Sequence, residues 1–534
     1  MSSPPDDAWH GVYCILFLQG IGQLFPWNVF INAEEYFKRR FCGSVFEDSF
    51  ENCFTLVFNI ASIGGLLGAL RYQEQRNLRS CILGSLAVST ATLVACAVLV
   101  LMEGASSSFL FFSTIILVFA SGLSVAILQG GLFAMASALP PRYTQAMMAG
   151  QGLAGLSVSL AGLFTTLAGP DDTACITKDT ATIVVATSET DGVDELSNRT
   201  LTREQLLAGD RTSATFTSSS GEECAAYTTD VSTLVYFGIA VAVLLACMVS
   251  YPVLERLPLT TFYVQVEDGN SVNNSGARVT GNGVDDDNSC CVGSCEVIGE
   301  SASSPESSMH RRLVEAPPMR HLSGDALYSD SPMYEKPLEH AGIGTDGGAV
   351  DDSLVARTCR SSKLTTIYRE AFAVFFVFMV TLSVFPGATS KIVSSRECQP
   401  GRSRFFASDI FVLFSFVSFN AFDLLGRLAA GFTGVVPSAR LPIAALCRIV
   451  FVPLLLMCRL DQPRFRALLT ADAFPLTLIP VFAFTNGYVG SLAMMAGSQK
   501  SAWAGTAMVL FLNLGLVSGS LLSFLVLLIT TSSS

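Results

Sequence analysis

Asp423 and Arg427 stand four residues apart inside FSFVSFNAFDLLGRLAAGF, residues 414–432, a stretch otherwise built mostly from Phe, Leu, Val and Ala. On a helix that spacing puts a carboxylate and a guanidinium on one face, about one turn apart. Asn420 extends the same polar stripe by three residues. A charge near the middle of a bilayer costs about 2.5–3.5 kcal/mol on insertion scales, so the stripe must face a bundle interior or a wet cavity. Two readings fit. One is a buried ion pair locking two helices, with Arg427 partly snorkelling toward the inner surface. The other is a ligand site, in which the carboxylate accepts hydroxyl protons and the guanidinium donates to ring nitrogens and carbonyls.

Other polar groups interrupt apolar runs. In GIGQLFPWNVFINAEEYFKRRF, Leu24, Trp27, Asn28 and Ile31 follow the i, i+3, i+4, i+7 pattern of one helical face. Trp27 offers a flat apolar wall and Leu24 can close the same pocket, although a tryptophan in a span is also a common interfacial anchor. Pro26 removes a backbone donor and is a candidate kink. The amide of Gln129 in LQGGLF can donate and accept together; an interhelical hydrogen bond is the plainer reading. Gln151 lies among Gly150, Gly152 and Gly155 and reads as part of a small-residue packing face. Phe385 and Pro386 break a helix near its outer end, and Leu516 faces inward late in the chain; pocket wall and core packing fit these equally. Arg448, in LCRIV, is a third buried charge, expected near the inner surface in a salt bridge or network and off the substrate.

The chemistry of enzymes is not written here. No phosphate-cradling GxxxxGK[ST] motif occurs, so ATP is not the driver, and no catalytic constellation, metal set or cofactor motif stands out. His10, His310, His321 and His340 all lie outside the span cores. No unpaired acid lies deep in a span, which argues against obligate proton coupling. Coupling through Asp423, Glu34 or Glu35 stays open.

The elements that must position these groups are membrane helices. The chain has 534 residues, half of them hydrophobic and only 14% charged, with a mean hydropathy of +0.50. Eleven apolar runs lie near 9–31, 53–71, 80–102, 109–138, 144–169, 233–254, 365–388, 405–432, 438–459, 471–497 and 502–529. Each is about as long as a bilayer core requires, and a helix satisfies its own backbone in lipid. The first run continues too far for a signal peptide and reads as an uncleaved span. The fold class is therefore an all-α polytopic membrane protein.

The net charge of −12 resides in loops. Residues 170–231 hold 12 acidic against 4 basic residues and 257–356 hold 16 against 5, leaving the remainder mildly basic. Nothing here points to a nucleic-acid partner; the bilayer is the implied surroundings. The segment GNGVDDDNSCCVGSCEVIGESASSPESS reads as part of a disordered cytoplasmic linker. The chain thus divides into 1–254 with six spans and the acidic loop, the linker 255–363, and 364–534 with five spans. Two bundles so joined suggest a transporter with its site between lobes at mid-membrane. Basic residues split nearly evenly between the two sets of short loops, so charge does not orient the chain. The sequon at Asn198 favours an inner N-terminus, and that at Asn273 the opposite. Cys175 and Cys224 bracket the first acidic loop and form a candidate disulfide if it is extracellular. Cys290, Cys291 and Cys295 read as a solvated cluster, with palmitoylation or metal binding as alternatives.

Several segments together resemble the equilibrative nucleoside transporters: GIGQLFPWNVFINAEEYFKRRF, ILQGGLFAMASALPPRYTQAMMAGQGLAG, FPGAT, FNAFDLLGR, LCRIVFVPLLLMC, FTNGYVGSLAMM and FLNLGLVSGSLLSF. Their order and spacing match over about 400 residues, excluding the two acidic loops. The resemblance implies eleven helices in a two-lobed fold related to the major facilitator superfamily, with an inner N-terminus and an outer C-terminus. It implies passive movement of nucleosides such as adenosine or inosine, sometimes nucleobases, through a monomer, most naturally at the plasma membrane. It places Asp423, Arg427 and Gln129 on the ribose or base and favours Trp27 beside them; Leu24, Asn28, Asn420, Phe385 and Leu516 join the candidate substrate-binding set on their positions alone. Val125 stands where inhibitor-sensitive relatives carry glycine. A proton-coupled nucleoside or nucleobase transporter remains the alternative, and a non-transporting purine receptor a more distant one.

Overall fold

A computed structural model describes residues 4–47, 50–72, 77–168, 231–264, 352–397, 403–433, 437–458 and 471–531, with side chains at all but some twenty of them. Residues 1–280 and 365–534 form one compact unit. Of the second, 281–364, the described part is the helical stretch 352–364.

Every long apolar run folds as a helix. In chain order these are α1 (Gly11–Asn32), α2 (Glu34–Phe41), α3 (Phe50–Tyr72), α4 (Leu78–Leu101), α5 (Ser107–Ala136), α6 (Pro141–Ala168) and α7 (Val231–Arg256). They continue with α8 (Asp352–Val384), α9 (Ser408–Thr433), α10 (Leu441–Cys447), α11 (Phe451–Leu456), α12 (Ala473–Ser498) and α13 (Ala502–Thr531). Side chains stop the backbone donors at two starts: Asn77 Oδ1 accepts from the Arg79 amide at 3.1 Å and Ser106 Oγ from the Phe109 amide at 3.4 Å. Helix α1 runs through Pro26 without ending there.

Ten described helices are long and apolar enough to cross a membrane. The expected ninth span is the exception. It is the shorter apolar stretch Leu441–Leu456, divided into α10 and α11 by a 3-10 turn at Arg448–Val450. Pro453 supplies no amide for the carbonyl four residues earlier, which loosens the helical ladder at this point.

The helices pack as an interleaved bundle. Helix α6 lies against α1 on one side and α9 on the other, and α9 lies in turn against α12; α13 crosses α5 and α3. At two of these crossings only hydrogen can stand. A Cβ on Gly20 would come 2.2 Å from the Met147 carbonyl, and one on Gly487 would come 1.9 Å from the Asp423 carbonyl. The expected small-residue face of α6 is thus seen where Gly150 meets the α1 backbone. At the end near the N-terminus, polar side chains tie helix ends together: Tyr143 Oη donates to Asp7 at 3.1 Å, and Gln499 Nε2 to the Leu139 carbonyl at 2.8 Å. At the opposite end Phe37, Phe41, Phe50, Phe54 and Phe111 form a continuous aromatic cluster.

Candidate functional site

Helix α9 is apolar except along one stripe, and that stripe faces inward. Arg427 Nε donates to Asp423 Oδ2 at 2.6 Å, with both side chains more than nine-tenths buried. Asp423 lies just past the middle of the helix Ser408–Thr433, and Arg427 one turn nearer its C-terminal end. Arg427 also leaves its own helix: Nη1 donates to the Met148 carbonyl of α6 at 3.0 Å. Gln145 of α6 answers by donating from Nε2 to the Arg427 carbonyl, again at 3.0 Å, while its Oε1 accepts from Tyr13 of α1. Asn420 donates to Ser159 of α6 at 2.6 Å. Along α6 the contacting positions are 145, 148, 152, 155 and 159, and along α9 they are 431, 427, 424 and 420. Rising numbers on one helix meet falling numbers on the other, so this is an antiparallel seam with a 3–4 residue repeat.

Behind Asp423 stands a second polar layer. Asn486 of α12, which carried no role in the sequence reading, donates from Nδ2 to Asp423 Oδ1 at 2.7 Å. Its Oδ1 accepts from Arg448 Nη1 at 3.1 Å and lies 2.7 Å from the Thr381 hydroxyl. Arg448 is 2% exposed, and its remaining donors go to Thr485, Thr381 and the carbonyls of Val377 and Phe482. The guanidinium also lies over the Phe482 ring, 4.8 Å from its centre. A network was expected for Arg448, but near a membrane surface. The structure places it beside Asn486, halfway along α12, because the broken helix α10–α11 carries it to mid-bundle.

The aromatic candidates flank this layer. Helix α8 ends at Val384, and Phe385 stacks face to face on Phe419 at 3.8 Å and edge-on to Phe416 at 5.2 Å. Phe419 is one turn from Asp423 on α9 and also packs edge-on against Phe482 at 6.1 Å. Pro386 is exposed. The remaining candidates lie on α1, α5 and α13, with Trp27 packing on α3. Trp27 tilts against Phe58 at 4.5 Å, and Gln129 Oε1 lies 3.5 Å from Asn513 Nδ2, one turn before the half-buried Leu516. Leu24 is half-buried, Pro26 and Val125 are buried, and Asn28 Nδ2 is buried with no partner. An unpaired buried donor costs about 1–3 kcal/mol unless a ligand or water meets it. Gln151 donates to Gln23 of α1 at 2.6 Å, an interhelical hydrogen bond. Among the described residues, no hydrogen bond links Trp27 or Gln129 to the Asp423 layer. Asn198, Cys175 and Cys224 lie outside the described residues. Cys42, just after α2, is disulfide-bonded, a feature the sequence reading did not anticipate.

The fold and these polar layers define a multi-pass integral membrane protein with a charged, hydrogen-bonded interior at mid-span. The family profile described as nucleoside transporter matches residues 113–186 and 346–528. The human equilibrative nucleoside transporter 1 is 27% identical, with 98% of each chain covered, and human equilibrative nucleoside transporter 2 is also 27% identical over 98% of both chains. Equilibrative nucleotide transporter 1 of Arabidopsis thaliana is 24% identical, covering 97% of this chain and 87% of its own. A solved structure of the E. coli fucose:proton symporter is similar at a TM-score of 0.47, with 11% identity over 97% of this chain and 92% of that one. The chain belongs to the nucleoside transporter family.

Proposed function

We propose that this chain moves nucleosides passively across a membrane by alternating access. The carrying observation is the buried Asp423–Arg427 pair at mid-span, whose arginine also bonds across the seam to α6. A solute rich in hydroxyls and ring acceptors can exchange with such bonds at little net cost, because each bond lost is replaced by one of like kind. Asp423 takes ribose hydroxyls in this reading and Arg427 the base. Leu24, Trp27, Asn28, Gln129, Phe385, Asn420 and Leu516 complete the pocket. The lobes 1–254 and 364–534 rock about the α6–α9 seam, with Phe385 at one gate and the Gln145 bonds at the other, in a monomer. Membership of a transporter family speaks against an enzyme.

Nucleosides such as adenosine and inosine, and by extension nucleobases, are the proposed substrates. The plasma membrane is the favoured site, with the N-terminus in the cytoplasm and the C-terminus outside. The disulfide at Cys42 supports that orientation, since disulfides persist on the oxidising side of a membrane and Cys42 follows the first span. The test is uptake of labelled adenosine into proteoliposomes, at equal pH and with the outside acidified. Equal final levels in both conditions support the passive carrier. Accumulation above equilibrium under the pH gradient would replace it with proton coupling.

A further inference from the structure

We infer that Asn486, held by Arg448 and Thr381, is a positioning residue that fixes Asp423 as a pure hydrogen-bond acceptor for the substrate. The inference rests on the nucleoside-carrier reading and adds a determinant to it. Its logic is the polarity of the hydrogen bonds. A guanidinium has donors and no acceptor. Arg448 Nη1, 3.1 Å from the Asn486 amide, must therefore meet its oxygen. That sets the amide one way round. The Asn486 nitrogen is then turned toward Asp423 Oδ1, 2.7 Å away, and it too can only donate. Asp423 Oδ2 already accepts from Arg427 Nε at 2.6 Å. Both oxygens thus accept from fixed donors, so the carboxylate is held as an acceptor on each side. Each oxygen keeps a second lone pair, which is what a substrate hydroxyl needs.

The cradle is rigid by construction. Asn486 is 3% exposed and Thr381 2%, and the Thr381 hydroxyl lies 2.8 Å from the Val377 carbonyl while accepting from Arg448 Nη2 at 3.0 Å. The α9 and α12 backbones touch at Gly487, so Asn486 cannot withdraw from Asp423 without parting two helices. The charged groups here are Asp423 and Arg427 from α9 and Arg448 from the turn between α10 and α11. Helices α6, α8 and α12 contribute only neutral groups: the Met148 carbonyl, Thr381 with the Val377 carbonyl, and Asn486 with Thr485. The cluster holds two cations and one carboxylate, so Asp423 is surrounded by donors.

The test exchanges the donor for an acceptor at constant size. In Asn486→Asp the group facing Asp423 becomes a second carboxylate, and the donor between them is replaced by a repulsion that a shared proton would relieve. Adenosine uptake into proteoliposomes is measured from pH 5.5 to 8 at equal pH on both sides, for the unaltered protein, Asn486→Asp and Asn486→Leu. The unaltered protein should show a flat profile. Asn486→Asp should fall at least about tenfold at pH 8 and recover toward pH 5.5, the size expected for a carboxyl proton shared between like charges. Asn486→Leu should raise KM at every pH, with a flat profile. If both variants keep the unaltered KM and a flat profile, and change only the maximal rate, Asn486 is packing and the inference falls alone. If the unaltered protein takes up no adenosine at any pH, the carrier reading falls and takes the inference with it.

Discussion

Arg427 is bonded to α6 in both directions: its guanidinium donates to the Met148 carbonyl at 3.0 Å, and Gln145 donates to its own carbonyl at 3.0 Å. One residue therefore carries the ion pair within α9 and the link between α9 and α6. Any motion that opens this seam must break both bonds, and a substrate that replaces them couples binding to motion.

Replacing Asp423 removes the partner of a buried cation. Asp423→Ala should abolish adenosine uptake and lower stability by about 3–5 kcal/mol, as for other broken buried pairs. Arg427→Lys keeps the charge, but a single ammonium does not reproduce a planar fork serving Asp423 and Met148 together, so uptake should fall strongly with the protein still folded. Uptake and melting temperature in detergent check both. Normal transport by Asp423→Ala would remove Asp423 from the site.

The helix crossing beside the ion pair has no room for a methyl group. Gly487→Ala should destabilise by at least about 1–3 kcal/mol, because its Cβ meets the Asp423 backbone rather than a mobile side chain. Gly68, with nothing within 4 Å of its Cβ position, is the control, and Gly68→Ala should leave the melting temperature unchanged or raise it. Thermal unfolding followed by intrinsic fluorescence distinguishes the two.

The α6–α9 seam can be locked chemically. A Cβ on Gly431 lies 3.4 Å from Cγ of Gln145, so Gln145→Cys with Gly431→Cys brings two thiols within bridging reach. Oxidation should block uptake and reductant should restore it. Full uptake by a quantitatively cross-linked protein would show that this end of the seam need not open.

Phe385 stacks on Phe419, one turn from Asp423 along α9. Phe385→Ala should raise KM severalfold, since an aromatic pair is worth about 0.5–1.5 kcal/mol beyond its buried area. Initial rates over a range of adenosine concentrations give the result, and an unchanged KM would assign Phe385 to packing alone.

Much of this was legible in the chain. The i, i+4 spacing of Asp423 and Arg427 predicts a shared helical face, and the cost of charge in lipid predicts that the face is turned inward. The glycines around Gln151 announce a close helix crossing. What escaped is what depends on tertiary approach. Asn486 sits in an apolar run with no charged neighbour in sequence, and its partners Arg448, Thr381 and Asp423 lie on three other elements. Gln145 stands at the start of α6, where the sequence gives no hint of the carbonyl it will meet. The break at Arg448 was hidden because Pro442 and Pro453 lie inside an otherwise continuous apolar run. The disulfide at Cys42 was not legible because pairing depends on which cysteines the fold brings together, and spacing along the chain does not show that.

The most direct test is counterflow. Proteoliposomes at equal pH are preloaded with unlabelled adenosine, diluted into labelled adenosine, and followed against vesicles without preload. A passive alternating-access carrier predicts a transient overshoot of label in the preloaded vesicles and simple equilibration in the others, with neither seen for Asp423→Ala. Identical time courses with and without preload, or an overshoot that survives Asp423→Ala, would contradict the account.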